Sequence, residues 1–287
     1  MDPKDPRLLR GAPVRQRILD DVQAYVAQHS NIGRIVSVSI GDIPEVGIYV
    51  RNQARVAEKV QLPFDQEYWG ADVTQEECKA RIQKMNDDPD VLGVILQRPV
   101  PDHINVRSLQ SAIHPLKDLE GMNPASIGNI IYNDVALAPC TAAAAVELVR
   151  ETGLNMEGLE VVMVGHSEIV GKPAAMMLMA EGATVTVCHH MTRSVAMHSR
   201  RADVVVVAVG KAHLIGADMI KPGAVVIDIG INQTDDGIVG DVDTASVIDT
   251  AGWVTPVPGG VGPVTVAILM RNATVAHQRQ VAAGWLN

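Results

Sequence analysis

"VVMVGHSEIVGKP", residues 161–173, runs a β-branched apolar segment into a glycine-bearing turn and out toward a helical stretch. Strand, Gly165 turn and helix start at Gly171 stand in the order that a phosphate-binding βα turn requires. Bare backbone at the two glycines lets N–H groups approach a pyrophosphate at the positive end of the following helix. The spacing is G-x5-G rather than G-x-G-x-x-G. By pattern alone, the segment fits a dinucleotide loop and a plain turn of a parallel sheet equally well.

Working outward, "GKPAAMMLMAEG" (171–182) reads as a helix, and "ATVTVCHH" (183–190), "ADVVVVAVG" (202–210) and "GAVVIDIGIN" (223–232) read as strands. Upstream, "RQRILDDVQAYVAQH" (15–29) has helical apolar spacing and "GRIVSVSIG" (33–41) reads as a buried strand. "IYVRNQARVAEKV" (48–60) is helical again, "QLPFDQEYWG" (61–70) is turn-rich, and "TQEECKARIQKMNDD" (74–88) opens on a capping-box pattern, Thr74 and Glu77. "VLGVILQRPVP" (91–101) is a strand ending in a proline-studded loop. This rhythm predicts an α/β protein of two domains, each a mostly parallel sheet under helices, the second a doubly wound Rossmann-type sheet. The join falls near Pro139, after the irregular "NPASIGNIIYNDVALAPC" (123–140). The first domain is residues 1–139, and the second is residues 140–270. The long last helix (262–284) returns to the first domain, which reclaims residues 271–287.

Composition narrows the function classes. Net charge is 24 − 33 = −9 with no basic run, which argues against a nucleic-acid partner. Cys78, Cys140 and Cys188 are widely spaced and odd in number, so a disulfide framework and a zinc site are not expected, and a reducing cytoplasm is. The opening "MDPKDPRLLRGAP" has no apolar core. No stretch approaches the roughly 20 apolar residues of a membrane helix.

At the end of the strand reaching Cys188, an NAD enzyme usually carries an acid for the ribose hydroxyls, about 20 residues after the glycine turn. This chain has His189, His190 and then Arg193. Imidazoles and a guanidinium tolerate a 2′-phosphate that a carboxylate would repel, so NADP is favoured over NAD; the alternative is a solvated loop.

A second stretch, "TPVPGGVGP" (255–263), packs three prolines and three glycines into nine positions before an apolar helix. A tight turn accounts for one Pro and one Gly, not six. With "VGHSEIVGKP", "VILQRPVP" and "HPLKDLEG", it makes the chain resemble the methylenetetrahydrofolate dehydrogenase/cyclohydrolase family nearly end to end. The resemblance implies a cytoplasmic homodimer with a folate held in a cleft between the domains and NADP on the second domain. The Pro/Gly loop is then one wall of the cleft, bare so that pterin and nicotinamide rings come close. It implies catalytic roles for Tyr49, Gln53, Gln97 and Glu120, and folate contacts from Tyr49, Gln97, Arg98, Glu120, Pro258, Gly259, Gly260 and Val261. Cofactor contacts fall to Thr141, Gly165, His166, Ser167, Ile169, Val170, His190, Arg193, Ile231 and Thr265. No metal is implied.

The departures matter most. Family members carry a lysine four residues after the tyrosine; here that position is Gln53, one helical turn from Tyr49 on the same face. A neutral amide neither gives nor takes a proton near pH 7, and the flanking Arg51 and Arg55 do not deprotonate there. The pterin-gripping acid is Glu120, one methylene longer than the family's aspartate. Arg98 adds a charge, and Asn123 and Ser126 stand where the family has His and Asn. Three readings follow. The first is an NADP-dependent dehydrogenase with cyclohydrolase activity weak or lost. The second is a non-redox transferase drawing its one-carbon unit from methylenetetrahydrofolate. The third is a non-catalytic folate-binding paralogue.

Overall fold

Arg34–Ile40 (β1) and Val91–Leu96 (β3) are strands because their apolar runs are buried almost throughout, as a parallel sheet covered on both faces demands. The structure is a computed structural model that describes residues 4–29, 31–235 and 237–286. It divides into two units, residues 17–138 with 266 onward, and residues 139–265 with those up to 16.

In the first unit, β1 lies between Phe64–Trp69 (β2) and β3, all parallel. Strand β2 corrects the expectation of a turn-rich segment. It is an edge strand whose middle positions face solvent, so its polar letters hide it. Helices Gly11–Ala27 (α1), Pro44–Lys59 (α2), Gln75–Asp87 (α3) and Val106–Ala112 (α4) precede Pro124–Ile131 (α5). Thr74 Oγ1 accepts from Glu77 N at 3.2 Å while Glu77 Oε2 accepts from Thr74 N at 2.9 Å, the reciprocal cap that the sequence promises. Helix α5 lies in the segment expected to be irregular; Asn123 caps it and Pro124 occupies its first turn.

The C-terminal helix Val261–Ala282 (α10) fixes this unit's site loop. Asn272 Nδ2 donates to Leu119 O at 2.9 Å, and Gln280 Nε2 donates to Leu116 O at 2.8 Å and Leu92 O at 2.6 Å. Asp118 bridges to Val94 of β3, so residues 118–120 run along the sheet beside the strand's end.

The second unit begins with Cys140–Glu151 (α6) and builds a five-stranded parallel sheet. Its strands are Glu160–Val164 (β4), Thr184–Cys188 (β5), Val204–Val207 (β6), Val225–Asp228 (β7) and, beyond the hairpin Asn232–Thr234 (β8) and Gly237–Val239 (β9), Trp253–Val254 (β10). The order is β10-β7-β6-β4-β5, so the chain winds one way from β4 to β5 and the other way from β6 onward. That reversal puts a topological switch point at the carboxyl ends of β4 and β6, where open α/β sheets bind ligands. Gly171–Ala180 (α7), Val195–Ser199 (α8) and Thr244–Val247 (α9) complete the unit. The opening residues, expected with the first domain, pack here instead. Leu9 N donates to Val254 O at 2.8 Å and Gly11 N to Gly259 O at 2.9 Å, extending the β10 edge. The hairpin β8–β9 adds to the elements read from the sequence, since its three-residue strands carry little periodic signal.

Cys78, Cys140 and Cys188 are buried free thiols. Among the described residues no helix is long and apolar enough to cross a membrane, and no group of three or more His, Cys, Asp or Glu is placed to hold a metal ion.

Candidate functional site

Two constellations emerge, one in each unit. In the first, helix α2 carries Tyr49 and Gln53 one turn apart. Tyr49 is 42% exposed and Gln53 only 1%. Gln97, just past β3, is buried and donates from Nε2 to Gln53 Oε1 at 2.7 Å and to Ser37 Oγ at 3.0 Å. Gln53 is therefore held by its carbonyl oxygen, with its NH2 turned away from Gln97. Ser37 lies on β1, where a serine within a buried strand gives no signal in the sequence.

Glu120 is half-buried, and its Oε2 accepts from Leu96 N at 3.1 Å. Desolvation pushes its carboxyl up to about 7; exposed Arg98 pulls it down, Asp118 pushes it further up and the Leu96 N–H lowers it. Asp118 is buried and its carboxyl is also raised by burial, against the opposing donors Asn123 N, the Ser126 hydroxyl, Met122 N and Gly121 N. Ser126 Oγ donates to Asp118 Oδ2 at 2.8 Å, and Asn123 Nδ2 donates to Ile113 O at 2.8 Å. Both side chains are buried. The departures at 123 and 126 brace the loop from within rather than line a site.

In the second unit, Gly165 has φ +119°, and a Cβ there would lie 2.2 Å from Ala208 O. A Cβ on Gly171 would lie 2.3 Å from Gly165 O. The two glycines let the turn close on itself and on the loop after β6, at the switch point. Ser167 Oγ accepts from Val170 N at 3.2 Å and from Gly171 N at 3.4 Å, which orders the start of α7. Ile169 and Val170 are half-buried in this turn, and Thr141 is half-buried at the start of α6.

Three imidazoles gather beside it. His166 stacks on His189 with centroids 4.7 Å apart, and His190 lies 6.0 Å from His166 and 5.9 Å from His189. His189 Nδ1 accepts from Met191 N at 3.2 Å, which leaves Nε2 to carry the proton of the neutral ring. Arg193 and Ile231 are exposed.

In the Pro/Gly loop, Gly259 has φ +107°, and a Cβ on Gly260 would meet Pro256 O at 2.7 Å, so these two glycines serve the loop's own folding. Pro258 is exposed, whereas Val261 is buried. Thr265 is buried too, and its Oγ1 donates to Val261 O at 3.3 Å within the helix. Of the residues named for ligand contact, Val261 and Thr265 are thus placed as packing groups.

Asp228 and Asp241 are both buried, at the end of β7 and just past β9. Asp228, at the end of β7, accepts from Gly230 N, Asp241 N and Val242 N at 2.9, 3.0 and 2.9 Å. Burial pushes its carboxyl up to about 6 against those three donors, and Asp241 adds repulsion.

One unit thus holds a cluster of buried amides beside a raised carboxyl, the other a glycine turn at a switch point, and both parts of the sequence match one family. Residues 9–120 match "Tetrahydrofolate dehydrogenase/cyclohydrolase, catalytic domain", and residues 139–281 match "Tetrahydrofolate dehydrogenase/cyclohydrolase, NAD(P)-binding domain". The chain belongs to the tetrahydrofolate dehydrogenase/cyclohydrolase family. Among curated relatives in this family, "Bifunctional protein FolD 3" of Roseobacter denitrificans is 79% identical over 287 residues, covering 98% of this chain and 99% of that protein. The crystal structure of the bifunctional FolD enzyme of Campylobacter jejuni superposes with a TM-score of 0.92 at 33% identity, over 95% of this chain and 99% of that one. The FolD of Trypanosoma brucei, solved in complex with NADP and an inhibitor, gives 0.88 at 33% identity, over 96% and 98%. The two-domain α/β architecture with a Rossmann-like second domain agrees with these family structures.

Proposed function

We propose that this protein oxidises 5,10-methylenetetrahydrofolate to the 5,10-methenyl cation with NADP as acceptor, and that the hydration that follows, to 10-formyltetrahydrofolate, is slow. When bound, NADP takes the hydride from the carbon bridging N5 and N10. That transfer leaves no proton for the protein to carry, so the chain's task is to bind and align.

The cofactor fits the residues present. Gly165 and Gly171 leave a backbone cradle that Cβ atoms would fill. His166, His189, His190 and Arg193 supply cationic or hydrogen-bonding groups for a 2′-phosphate near the end of β5, where NAD enzymes carry a carboxylate instead. On the folate side, the Glu120 carboxylate holds the aminopyrimidine edge of the pterin, Tyr49 offers an exposed ring face, and Gln97 fixes the floor.

Hydration asks more of the side chains. Water must lose a proton as it adds to the methenyl carbon, and N5 must gain one as its bond to that carbon breaks, so a proton carrier alongside speeds both steps. Gln53 stands at the family's lysine position and has no proton to exchange near pH 7. The observation that carries this claim is the 2.7 Å bond from Gln97 Nε2 to Gln53 Oε1, which commits the buried amide to a fixed structural role. The curated relatives are named as bifunctional, so the claim for this chain concerns relative rates: oxidation ahead of hydration. Purified protein given methylenetetrahydrofolate is expected to reduce NADP, and NAD more slowly at equal concentration. Reduction of neither nucleotide overturns the proposal.

A further inference from the structure

The carboxylate of Asp241 is fully buried and saturated with donors. Its Oδ2 accepts from Val209 N at 2.7 Å and Gly210 N at 3.0 Å, and its Oδ1 accepts from Lys211 N at 2.7 Å and Asn232 Nδ2 at 2.9 Å. Three consecutive backbone N–H groups of the loop after β6 thus converge on one carboxylate. That loop is the far side of the switch point: Ala208 O is the atom that a side chain at position 165 would strike. Asp241 is itself anchored, because its own N–H is held by Asp228 at the end of β7.

We propose that Asp241 is a positioning residue for the dinucleotide. It holds the 208–211 loop in the shape against which the Gly165 turn closes, and so sets the width of the phosphate cradle before any nucleotide arrives. A carboxylate suits the task because it is acceptor-only, with two oxygens facing a ring of donors. An amide of the same shape supplies one acceptor oxygen and turns an NH2 group toward N–H groups that need acceptors. The inference rests on the NADP reading above.

The test is Asp241→Asn, with NADP affinity measured by titration calorimetry and kinetics measured separately. The expected result is a rise of at least about tenfold in the NADP dissociation constant and in KM for NADP. KM for methylenetetrahydrofolate and kcat at saturating NADP stay within about twofold of the parent. A folded variant that binds NADP as tightly as the parent overturns the proposal. Failure of the unaltered protein to bind NADP at all would instead overturn the NADP reading.

Should the variant not fold, amide hydrogen exchange on the unaltered protein decides. Amides 209–211 are expected to be protected already without nucleotide and to change little on adding NADP. Rapid exchange that slows only when NADP binds would show that the nucleotide, not Asp241, orders the loop.

Discussion

If hydration is slow for want of a proton carrier, as proposed, replacing Gln53 by lysine should speed it. Gln53 is 1% exposed, and its carbonyl oxygen accepts from Gln97 Nε2 at 2.7 Å. Lysine brings no acceptor, so Gln97 must turn its amide over and offer its own oxygen to the ammonium. The network can follow, because the Ser37 hydroxyl now accepting from Gln97 at 3.0 Å is equally able to donate. Rearrangement and burial of a charge should lower stability by about 1–3 kcal/mol. Burial also lowers the introduced amine's pKa from its free value of roughly 10.4 toward the working pH, which is what acid–base catalysis needs. A positioned general acid–base group contributes about 10²–10⁴-fold, or about 3–5 kcal/mol of barrier. Q53K should therefore hydrolyse methenyltetrahydrofolate about a hundredfold faster than the parent, with a new ionisation in the pH–rate profile and an NADP-reduction rate changed by only a few-fold. The assay follows loss of the methenyl chromophore with no nucleotide present. A folded Q53K that retains dehydrogenase activity yet shows no faster hydrolysis would refute the reasoning, because the missing proton carrier would then not be what limits the step.

Glu120→Gln should separate binding from stability. With a folded-state pKa of about 7 against an ordinary value of 4.5, the Glu120 carboxyl binds its proton more tightly in the folded chain. Its contribution favours folding below pH 4.5, falls as pH rises to 7 and is a full penalty above, worth up to about 3 kcal/mol. The variant should therefore gain stability over the parent at pH 8 in urea melts while losing folate affinity about tenfold. Equal folate affinity would remove Glu120 from the site. In the unaltered protein, folate binding should strengthen as pH rises through about 7, where the carboxyl ionises; a flat profile from pH 6 to 8 contradicts the assignment. Gly165→Ala adds a Cβ 2.2 Å from Ala208 O at φ +119°. Beyond that clash, backbone strain of about 1–3 kcal/mol is expected. The variant should lose most NADP affinity by calorimetry, and normal affinity would show that the turn is not the cradle.

The sequence is legible where burial is uniform. Strands such as β3, β4 and β6 are near-unbroken Val, Ile and Leu because both faces of a parallel sheet are covered, and the Thr74–Glu77 cap is read directly from two residues three apart. Strand β2 escapes because its exposed Asp65, Gln66 and Glu67 belong to an edge. Helix α5 reads as a loop in the sequence because of Pro124, Gly128 and Asn129, although Asn123 before Pro124 is a start signal. At the site, Gln53 and Gln97 were found only through the resemblance; nothing in their spacing tells that they touch across 44 residues. Asp241 was invisible for the same reason, since its four donors come from residues 209–211 and 232.

The most direct measurement is a time course with purified protein, methylenetetrahydrofolate and NADP that follows NADPH, methenyl and 10-formyl folate as separate quantities. The proposal predicts that methenyl folate accumulates at first nearly in step with NADPH while formyl folate lags well behind both. Formyl folate appearing as fast as NADPH, with no methenyl build-up, would contradict it.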